Sequence, residues 1–378
     1  MKKIAVMGLV GWNNYGEQFL AKCTGYLIGG QQEVEFIDFE PPHNPIGNML
    51  YYMFIVLSRL IPVRTISDKF VWYGVCLRSK RYFRKHLQQC DKIIFACGSY
   101  KYGTQKLWAY YSLAIELAQK MQIKVMFNGV NVQDYNGGNG KCEWLKQHTN
   151  YSCVTQFTTR DGEHGVDKLN ADYLTDTPVK AIAVGDPAFW IPECYGIQKE
   201  TETSIIGINL IRGRIFEDYG GNMTEERLLD FYCDYIRWLE SRSVSWELFT
   251  NGLKVDYEFG LKVLKKCNME DHTIRIPESD LDLVKMIAGY KGILGARLHA
   301  CICAYSLDVP FASFIWDEKM LRFAEITGNT ERFLTEDKLD VENMKQCFMY
   351  SMQQQYDVKI REEWKQKTKQ SIDEFVKR

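Results

Sequence analysis

Short runs of apolar, β-branched residues alternate along the chain with longer amphipathic segments. In the first half, such runs predict strands at 3–6, 33–39, 92–96, 124–127 and 179–184. Helical spacing of apolar residues predicts helices after residue 17 and over 106–120. Strands that alternate with helices are typical of a parallel sheet covered by helices on both faces. The pattern therefore predicts a doubly wound α/β domain.

The same alternation restarts after a polar segment without periodicity at 198–204. Further strands are predicted at 204–211, 246–249, 292–298 and 311–315, and helices at 224–241, 283–290 and 300–307. Ser279 and Asp282 match a helix-capping box before the second of these helices. We expect two doubly wound Rossmann-like domains that face each other across a cleft, with the ligand at the carboxyl ends of the strands.

The expected domain limits follow from the polar segment. Residues 1–195 form the first domain, which carries a basic and apolar insertion at about 45–90. Residues 196–350 form the second domain. A helix within 351–378 is expected to pack back toward the first domain.

Composition excludes several classes of protein. The 378 residues are 46% hydrophobic and 25% charged, and the formal net charge is −1, so the chain is neither disordered nor a nucleic-acid-binding polycation. Twelve cysteines are scattered without a Cys-x-x-Cys pair, which favours reduced thiols and a cytoplasmic protein. The six histidines and the cysteines show no zinc-ligand spacing, so no metal is expected.

One stretch departs from the near-neutral charge. The apolar run 49–57 is too short for a membrane span, which needs about 20 residues. Residues 59–86 follow it with eight Lys or Arg and one acid, Asp68. Apolar side chains beside a basic cluster suit peripheral contact with the inner face of an anionic membrane. The alternative is a buried helix followed by a solvated, charged helix.

The residues with the clearest chemistry are Arg297 and His299. They lie two positions apart at the end of the predicted strand 292–298, where period-2 geometry places both on one face. A helix follows directly, and its free N–H groups point toward the same place. A guanidinium, an imidazole and a helix N-terminus together form an anion site with a proton-transfer group. The structural alternative is a buried arginine paired with an acid and a histidine with satisfied hydrogen bonds.

Three other segments end predicted strands. The Gly-rich loop Gly8–Glu17 follows the first strand and opens a helix, although it lacks the dinucleotide and phosphate-loop fingerprints. Asp186 lies in a Gly-Asp-Pro sequence after strand 179–184, as an orienting residue or as part of a turn. Arg212 and Arg214 follow strand 204–211, as anion ligands or as solvated loop charges.

Three ordered motifs resemble the polysaccharide pyruvyl transferase family. They are Asn14-Tyr15-Gly16-Glu17, then Gly185-Asp186-Pro187-Ala188-Phe189, then Ala296–Ala300 followed by Pro310, Asp317–Lys319 and Phe323. The resemblance extends over about residues 4–325. The chain departs from the family where a Gly-Gly-Gly element is reduced to Gly98-Ser99, where Asn128–Asn131 replaces a Gly-x-Pro turn, and over residues 40–90.

The resemblance implies a fold similar to the GT-B glycosyltransferases, with the acceptor on the side of the first domain and the donor on the side of the second. It also implies transfer of pyruvate from phosphoenolpyruvate to a sugar or lipid-linked glycan in surface-polysaccharide biosynthesis, often as a ketal. Arg297, Lys319 and one of Arg212 or Arg214 would hold the donor's carboxylate and phosphate. His299 would carry the proton. The remaining expected binding residues are Asn14, Gly16, Glu17, Asp186 and Leu298.

Two other functions stay open at this point. A GT-B glycosyltransferase with a nucleotide-sugar donor would share the fold and the position of the site. A non-catalytic glycan- or lipid-binding protein would tolerate loss of His299. The pyruvyl transfer requires no cofactor other than the donor substrate, phosphoenolpyruvate.

Overall fold

The computed structural model describes residues 3–30, 32–42, 45–103 and 106–378. The chain divides into two compact units. The first comprises Met1–Gly11, Leu20–Pro187 and Gln366–Arg378, and the second comprises Trp12–Phe19 and Ala188–Lys365. Each is a parallel sheet covered by helices, which confirms the predicted doubly wound α/β architecture.

The sheet of the first unit has seven strands. They are β1 (Lys3–Gly8), β2 (Val34–Asp38), β3 (Cys90–Phe95), β4 (Ser99–Tyr100), β5 (Lys124–Val132), β6 (Val154–Thr159) and β7 (Ala181–Ala183). Their order is β2-β1-β3-β5-β6-β7, with β4 paired to β5, and every pairing is parallel. Buried aromatic rings fill the core above it, and Phe127 stacks on Phe157 at 4.4 Å between ring centroids.

Helices surround this sheet. They are α1 (Tyr15–Ile28), α2 (Pro45–Leu60), α3 (Arg64–Leu87), α4 (Leu107–Met121), α5 (Gly140–Thr149) and α6 (Gly162–Lys168), followed by a π-helical turn at Leu169–Tyr173. None of the helices in the described ranges combines the length and hydropathy needed to cross a bilayer.

The sheet of the second unit has six strands. They are β8 (Ile206–Asn209), β9 (Trp246–Phe249), β10 (Ile274–Arg275), β11 (Gly292–Gly295), β12 (Phe311–Phe314) and β13 (Phe333–Leu334). Their order is β10-β9-β8-β11-β12-β13, and all pairings are parallel. The chain builds outward from β8 in one direction and then returns to β11 to build in the other. This is the strand order of a Rossmann sheet, whose switch point lies between β8 and β11.

Helices precede, connect or follow these strands. They are α7 (Ile191–Tyr195), α8 (Ile215–Asp218), α9 (Glu225–Ser241), α10 (Lys254–Cys267), α11 (Asp280–Ala288), α12 (Leu298–Ser306), α13 (Glu318–Ile326), α14 (Val341–Gln353) and α15 (Val358–Lys377), of which α15 ends within the first unit. Short 3₁₀ turns lie at Pro187–Trp190, Thr330–Arg332 and Glu336–Lys338. The predicted capping box is confirmed, because Ser279 Oγ accepts the Asp282 N–H at 3.1 Å and α11 begins at Asp280.

The chain changes units at Pro187, eight residues before the expected limit at 195. Side chains just after Pro187 explain this position. Phe189 packs edge-on against Tyr305 with centroids 5.3 Å apart, and Ser306 Oγ donates to the carbonyl of Ala188 at 3.0 Å. Tyr305 and Ser306 are the last two residues of α12 in the second unit. The contacts of the turn that follows Pro187, rather than the polar segment 198–204, therefore set the limit between the units.

The end of the chain belongs to the first unit over Gln366–Arg378. Gln156 of β6 donates from Nε2 to the carbonyl of Ser371 at 2.8 Å and to its hydroxyl at 2.7 Å. Thr368 donates to the carbonyl of Gly185 at 3.0 Å, and Ile372 and Phe375 are fully buried. The second half of α15 is therefore an integral part of the first unit's core.

The predicted strand 292–298 is wrong at its end. Strand β11 stops at Gly295, and α12 already begins at Leu298. The reason lies in Asn209 at the end of β8, whose Oδ1 accepts the N–H groups of Ala296 at 3.3 Å and Arg297 at 2.9 Å. The side-chain amide of Asn209 accepts hydrogen bonds that a neighbouring strand would otherwise accept. The backbone can therefore leave the sheet and begin α12. Alternation along a strand therefore does not relate Arg297 to His299.

Candidate functional site

Loops after three neighbouring strands of the second unit, β8, β11 and β12, carry most of the candidate residues. They lie at the carboxyl edge of the sheet and at its switch point, where ligands of doubly wound folds bind. Asn209, fully buried, joins the first two loops through the hydrogen bonds described above. Trp316, which follows β12, donates from Nε1 to the carbonyl of Ala296 at 2.8 Å. The three loops thus form one connected edge.

Arg297 is ion-paired with a buried acid. Its Nε donates to Asp256 Oδ2 at 2.9 Å and its Nη2 donates to Asp256 Oδ1, which gives a bidentate fork. Asp256 is 0% exposed and also accepts the Arg212 N–H at 2.9 Å. The guanidinium is thereby held in one orientation, and its charge is compensated within the protein.

The other two arginines differ from Arg297 in burial. Arg212 pairs with Asp218, with Nη2 2.8 Å from Oδ2, and both side chains are more than one third exposed. Arg214 is 67% exposed and pairs with Glu217 at 3.5 Å. Of the two alternatives left by the sequence, Arg212 shares its environment with Arg297, whereas Arg214 is a solvated charge beside a short helix.

Lys319 lies in an aromatic setting at the start of α13. Its Nζ is 4.3 Å from the ring centroid of Trp316 and 6.0 Å from that of Tyr219, and 3.5 Å from Asp317 Oδ2. Burial and the charge of Asp317 raise the pKa of the Tyr219 phenol, while the nearby charges of Arg212 and Arg297 oppose the increase. Tyr219 therefore has all three candidate cations near its ring.

The N-termini of α12 and α13 differ in their capping. Asp317 caps α13 by accepting the Lys319 N–H at 3.1 Å. Among the described residues, no side chain caps α12, whose N-cap position is Arg297 itself. The first N–H groups of a helix have no partner within it, and the helix dipole favours negative charge there. The start of α12, at buried Leu298, is thus suited to an anion.

His299 lies in the first turn of α12 and is packed against the start of α1. A Cβ added at Gly16 would lie only 2.5 Å from His299 Cβ, so only glycine fits there. His299 Nδ1 is 3.9 Å from Glu17 Oε1, and both side chains are largely buried, at 7% and 15% exposed. Asn14 accepts the Glu17 N–H through its carbonyl at 2.9 Å and so helps to start α1. A carboxylate is therefore positioned beside one ring nitrogen of His299.

Asp186 belongs to the first unit, is 1% exposed and forms an ion pair with Arg160. Arg160 also donates from Nη2 to the carbonyl of Gly98 at 2.8 Å. The pair connects the ends of β3, β6 and β7 in the first unit. The ion pair is compatible with an orienting role for Asp186, and its part in substrate binding stays a prediction.

Sequence reasoning missed Asp256, Asn209 and Tyr219. Asp256 is one of many acids at a helix N-terminus, and Asn209 lies inside the predicted strand 204–211, without a recognisable motif. The sequence signal for Asp256 was indirect. An arginine at the end of a core strand needs an acidic partner, but the sequence does not identify which acid it is. Within the described ranges, no three His, Cys, Asp or Glu side chains are grouped as metal ligands.

Comparisons with known proteins agree with this organisation. A family model described as polysaccharide pyruvyl transferase matches residues 14–318. The UDP-GlcNAc 2-epimerase of Methanocaldococcus jannaschii has a TM-score of 0.64 at 11% identity, with 100% of both chains covered. The Neisseria meningitidis UDP-GlcNAc 2-epimerase bound to UDP-GlcNAc has a TM-score of 0.56 at 11% identity, covering 100% of this chain and 99% of that one.

A third structure, a co-structure of S. aureus MnaA with UDP, has a TM-score of 0.55 at 10% identity and covers 100% of this chain and 95% of that one. A search of curated proteins found no match to the chain. At these identities the structural likeness shows the fold, which is of the two-domain, Rossmann-like GT-B type, as predicted.

Proposed function

Because the chain belongs to the polysaccharide pyruvyl transferase family, we propose that it transfers the pyruvyl group of phosphoenolpyruvate to sugar hydroxyls during surface-polysaccharide biosynthesis. The product is a pyruvate ketal. Two C–O bonds form between the donor's C2 and two hydroxyls, the C–O bond to phosphate breaks, one hydroxyl proton goes to the methylene carbon and the other leaves with phosphate.

One observation carries the proposal: the uncapped start of α12 has Arg297 at its N-cap and His299 in its first turn, with Glu17 beside the imidazole. An anion-binding helix end and a proton-transfer group therefore share one turn of backbone. Phosphoenolpyruvate needs both functions, because it carries two anionic groups and accepts a proton on carbon.

The three cations have different tasks in this proposal. The Arg297–Asp256 fork is buried, so Arg297 keeps a fixed orientation toward the donor. The Arg212–Asp218 pair is exposed and therefore weak, so an incoming phosphate or carboxylate can replace Asp218. Lys319 adds a cation held over Trp316. Together with the α12 N–H groups they stabilise the charge that develops as phosphate leaves.

His299 is the proposed proton carrier. Glu17 places a carboxylate beside the ring, with Oε1 3.9 Å from Nδ1. His299 removes a proton from the attacking hydroxyl and delivers it to the methylene carbon of the donor. Leu298, Asn14 and Gly16 act through backbone and packing at the same turn. Asp186 supports the first unit through Arg160.

The proposal is tested by measuring thermal shifts of the purified chain with phosphoenolpyruvate and with a panel of nucleotide-sugars. A ligand that binds only the folded state raises the melting temperature. We expect a shift with phosphoenolpyruvate. A shift with a UDP-sugar alone would contradict pyruvyl transfer and favour a glycosyltransferase.

His299→Ala gives the first quantitative prediction. The cations and the α12 N-terminus remain, so affinity for phosphoenolpyruvate should change little, while turnover should fall about 10²–10⁴-fold. His299→Gln should not restore turnover, because an amide cannot shuttle protons. Phosphate release with a pyruvylatable glycan, melting temperature and donor affinity are measured on the same samples. A stable His299→Ala protein with near-normal turnover would rule out the catalytic role.

The location of the reaction is part of the proposal. We place the enzyme on the cytoplasmic side, where phosphoenolpyruvate is available, in peripheral contact with the membrane through residues 49–86. A lipid-linked glycan is the acceptor that fits such a position.

A further inference from the structure

Helices α2 and α3 form a helical hairpin, residues 45–87, whose inner side packs within the protein. Ser67 donates to the carbonyl of Ser58 at 2.8 Å, and Phe54 packs on Phe70 with centroids 5.7 Å apart. The hairpin buries Ile55, Val75 and Phe83 against the first unit. The helices are therefore anchored by their own apolar side.

The outer side of α2 is also apolar. Its exposed apolar residues, between 38% and 73% exposed, are Ile46, Met49, Tyr52, Met53, Val56, Leu57 and Leu60. They recur at intervals of three and four residues and form one continuous stripe. Arg59 is the one charged residue of the helix. A solvated surface helix normally has polar residues on this face, so the stripe indicates a surface that binds something apolar.

The charges around the stripe have one sign. Exposed cations of the hairpin are Arg59, Arg64, Lys69, Lys80, Arg81, Arg84 and Lys85. The one acid within residues 45–87, Asp68, is buried and pairs with Lys141 at 3.4 Å. Arg78 is not part of this set, because it lies over the Tyr51 ring and near Glu40. The exposed charge of the hairpin is thus entirely positive.

We infer that α2 inserts its stripe into the interfacial region of an anionic lipid bilayer, with the basic side chains of α3 on lipid phosphates. A helix of 16 residues is about 24 Å long, too short to span the bilayer but suited to lie in its plane. Exposed apolar side chains combined with unbalanced positive charge match the two layers of such a surface, namely acyl chains and anionic headgroups. An uncharged protein partner would leave these cations without counterparts.

The inference makes the proposed membrane contact specific, and it is tested without substrates, so it stands or falls separately from pyruvyl transfer. Co-sedimentation is measured with vesicles of phosphatidylcholine alone and with added phosphatidylglycerol, at low and high salt. We expect binding to the anionic vesicles that weakens but persists at high salt, because salt screens charges and leaves apolar insertion intact.

Two sets of variants separate insertion from charge. Val56→Asp with Leu60→Asp should abolish binding at high salt. The control pair Val255→Asp with Leu261→Asp, 47% and 46% exposed on α10, should bind as the wild type does. Lys80→Gln, Arg81→Gln and Arg84→Gln together should weaken binding roughly a hundredfold, at about fivefold per charge. Circular dichroism checks that the variants fold.

Three results would overturn the inference. The first is no sedimentation with anionic vesicles at low salt. The second is binding that high salt removes completely and that Val56→Asp with Leu60→Asp does not change, which would mean adhesion by charge alone. The third is a dimer in sedimentation velocity that the same α2 variants dissociate while vesicles are not bound, which would mean that a second copy covers the stripe.

Discussion

At the scale of single residues, Arg297 shows how a buried charge constrains the candidate site. Its fork to Asp256 is the structural alternative that the sequence left open, and it coexists with a position at the N-cap of α12. The spacing of Arg297 and His299 was enough to single out this turn. It could not locate Asp256, because a tertiary partner from α10 leaves no local pattern in the sequence.

This pair leads to a stability prediction. Arg297→Ala leaves the fully buried Asp256 carboxylate without its cation and should lower the free energy of unfolding by about 3–5 kcal/mol. Adding Asp256→Asn removes the unpaired charge, so the double variant should be more stable than the sum of the single effects predicts, by about 0.5–3 kcal/mol. Denaturant unfolding measures the cycle. Strictly additive effects would show that the two residues do not depend on each other.

At the scale of elements, the packing of α1 against α12 determines where His299 lies. The sequence predicted both helices and the capping of α11 at Ser279, because these depend on local spacing and side-chain chemistry. It misjudged the end of β11, because Asn209, more than 80 residues away, terminates that strand through its side chain. Local rules fail where a distant side chain replaces a backbone partner.

Gly16→Ala tests this packing. The new Cβ would collide with His299 Cβ, so α1 and α12 must separate locally. A displacement of about 1 Å at the imidazole should reduce turnover roughly a hundredfold. Gly30→Ala is the matched control, since a Cβ there meets nothing within 4 Å. Turnover is measured for both variants at equal folded fraction. Equal activity of the two would mean that the α1–α12 contact does not position His299.

At the scale of the whole molecule, the two sheets follow from the alternation of apolar runs, which explains why the fold class was predictable. The assignment of segments to units was predictable only in part, since a helix within 351–378 was expected to pack toward the first domain. Nothing in the sequence indicated that Trp12–Phe19 joins the second unit, because this segment runs into α1 without a break in pattern. Long-range packing determines which unit a segment belongs to, and the periodicity within a helix does not predict it.

The C-terminal segment therefore matters for the first unit. Phe375→Ala removes a fully buried ring from that core and should destabilise it by about 3–5 kcal/mol. Val358→Ala on the same helix removes a side chain that is 53% exposed and should change stability by about 0.5 kcal/mol or less. Denaturant unfolding compares both with the wild type. Similar values for the two would argue that the end of α15 only rests on the surface.

The proximity of Glu17 and His299 also has a consequence for biosynthesis. The imidazole lies 299 − 17 = 282 residues after the carboxylate, so the pair cannot form on the ribosome until that whole stretch has been synthesised. Domains tend to fold as they emerge, and Trp12–Phe19 must then wait for the unit that it joins. An expression fragment of residues 188–365 lacks this segment and carries His299 without its carboxylate, however well it folds.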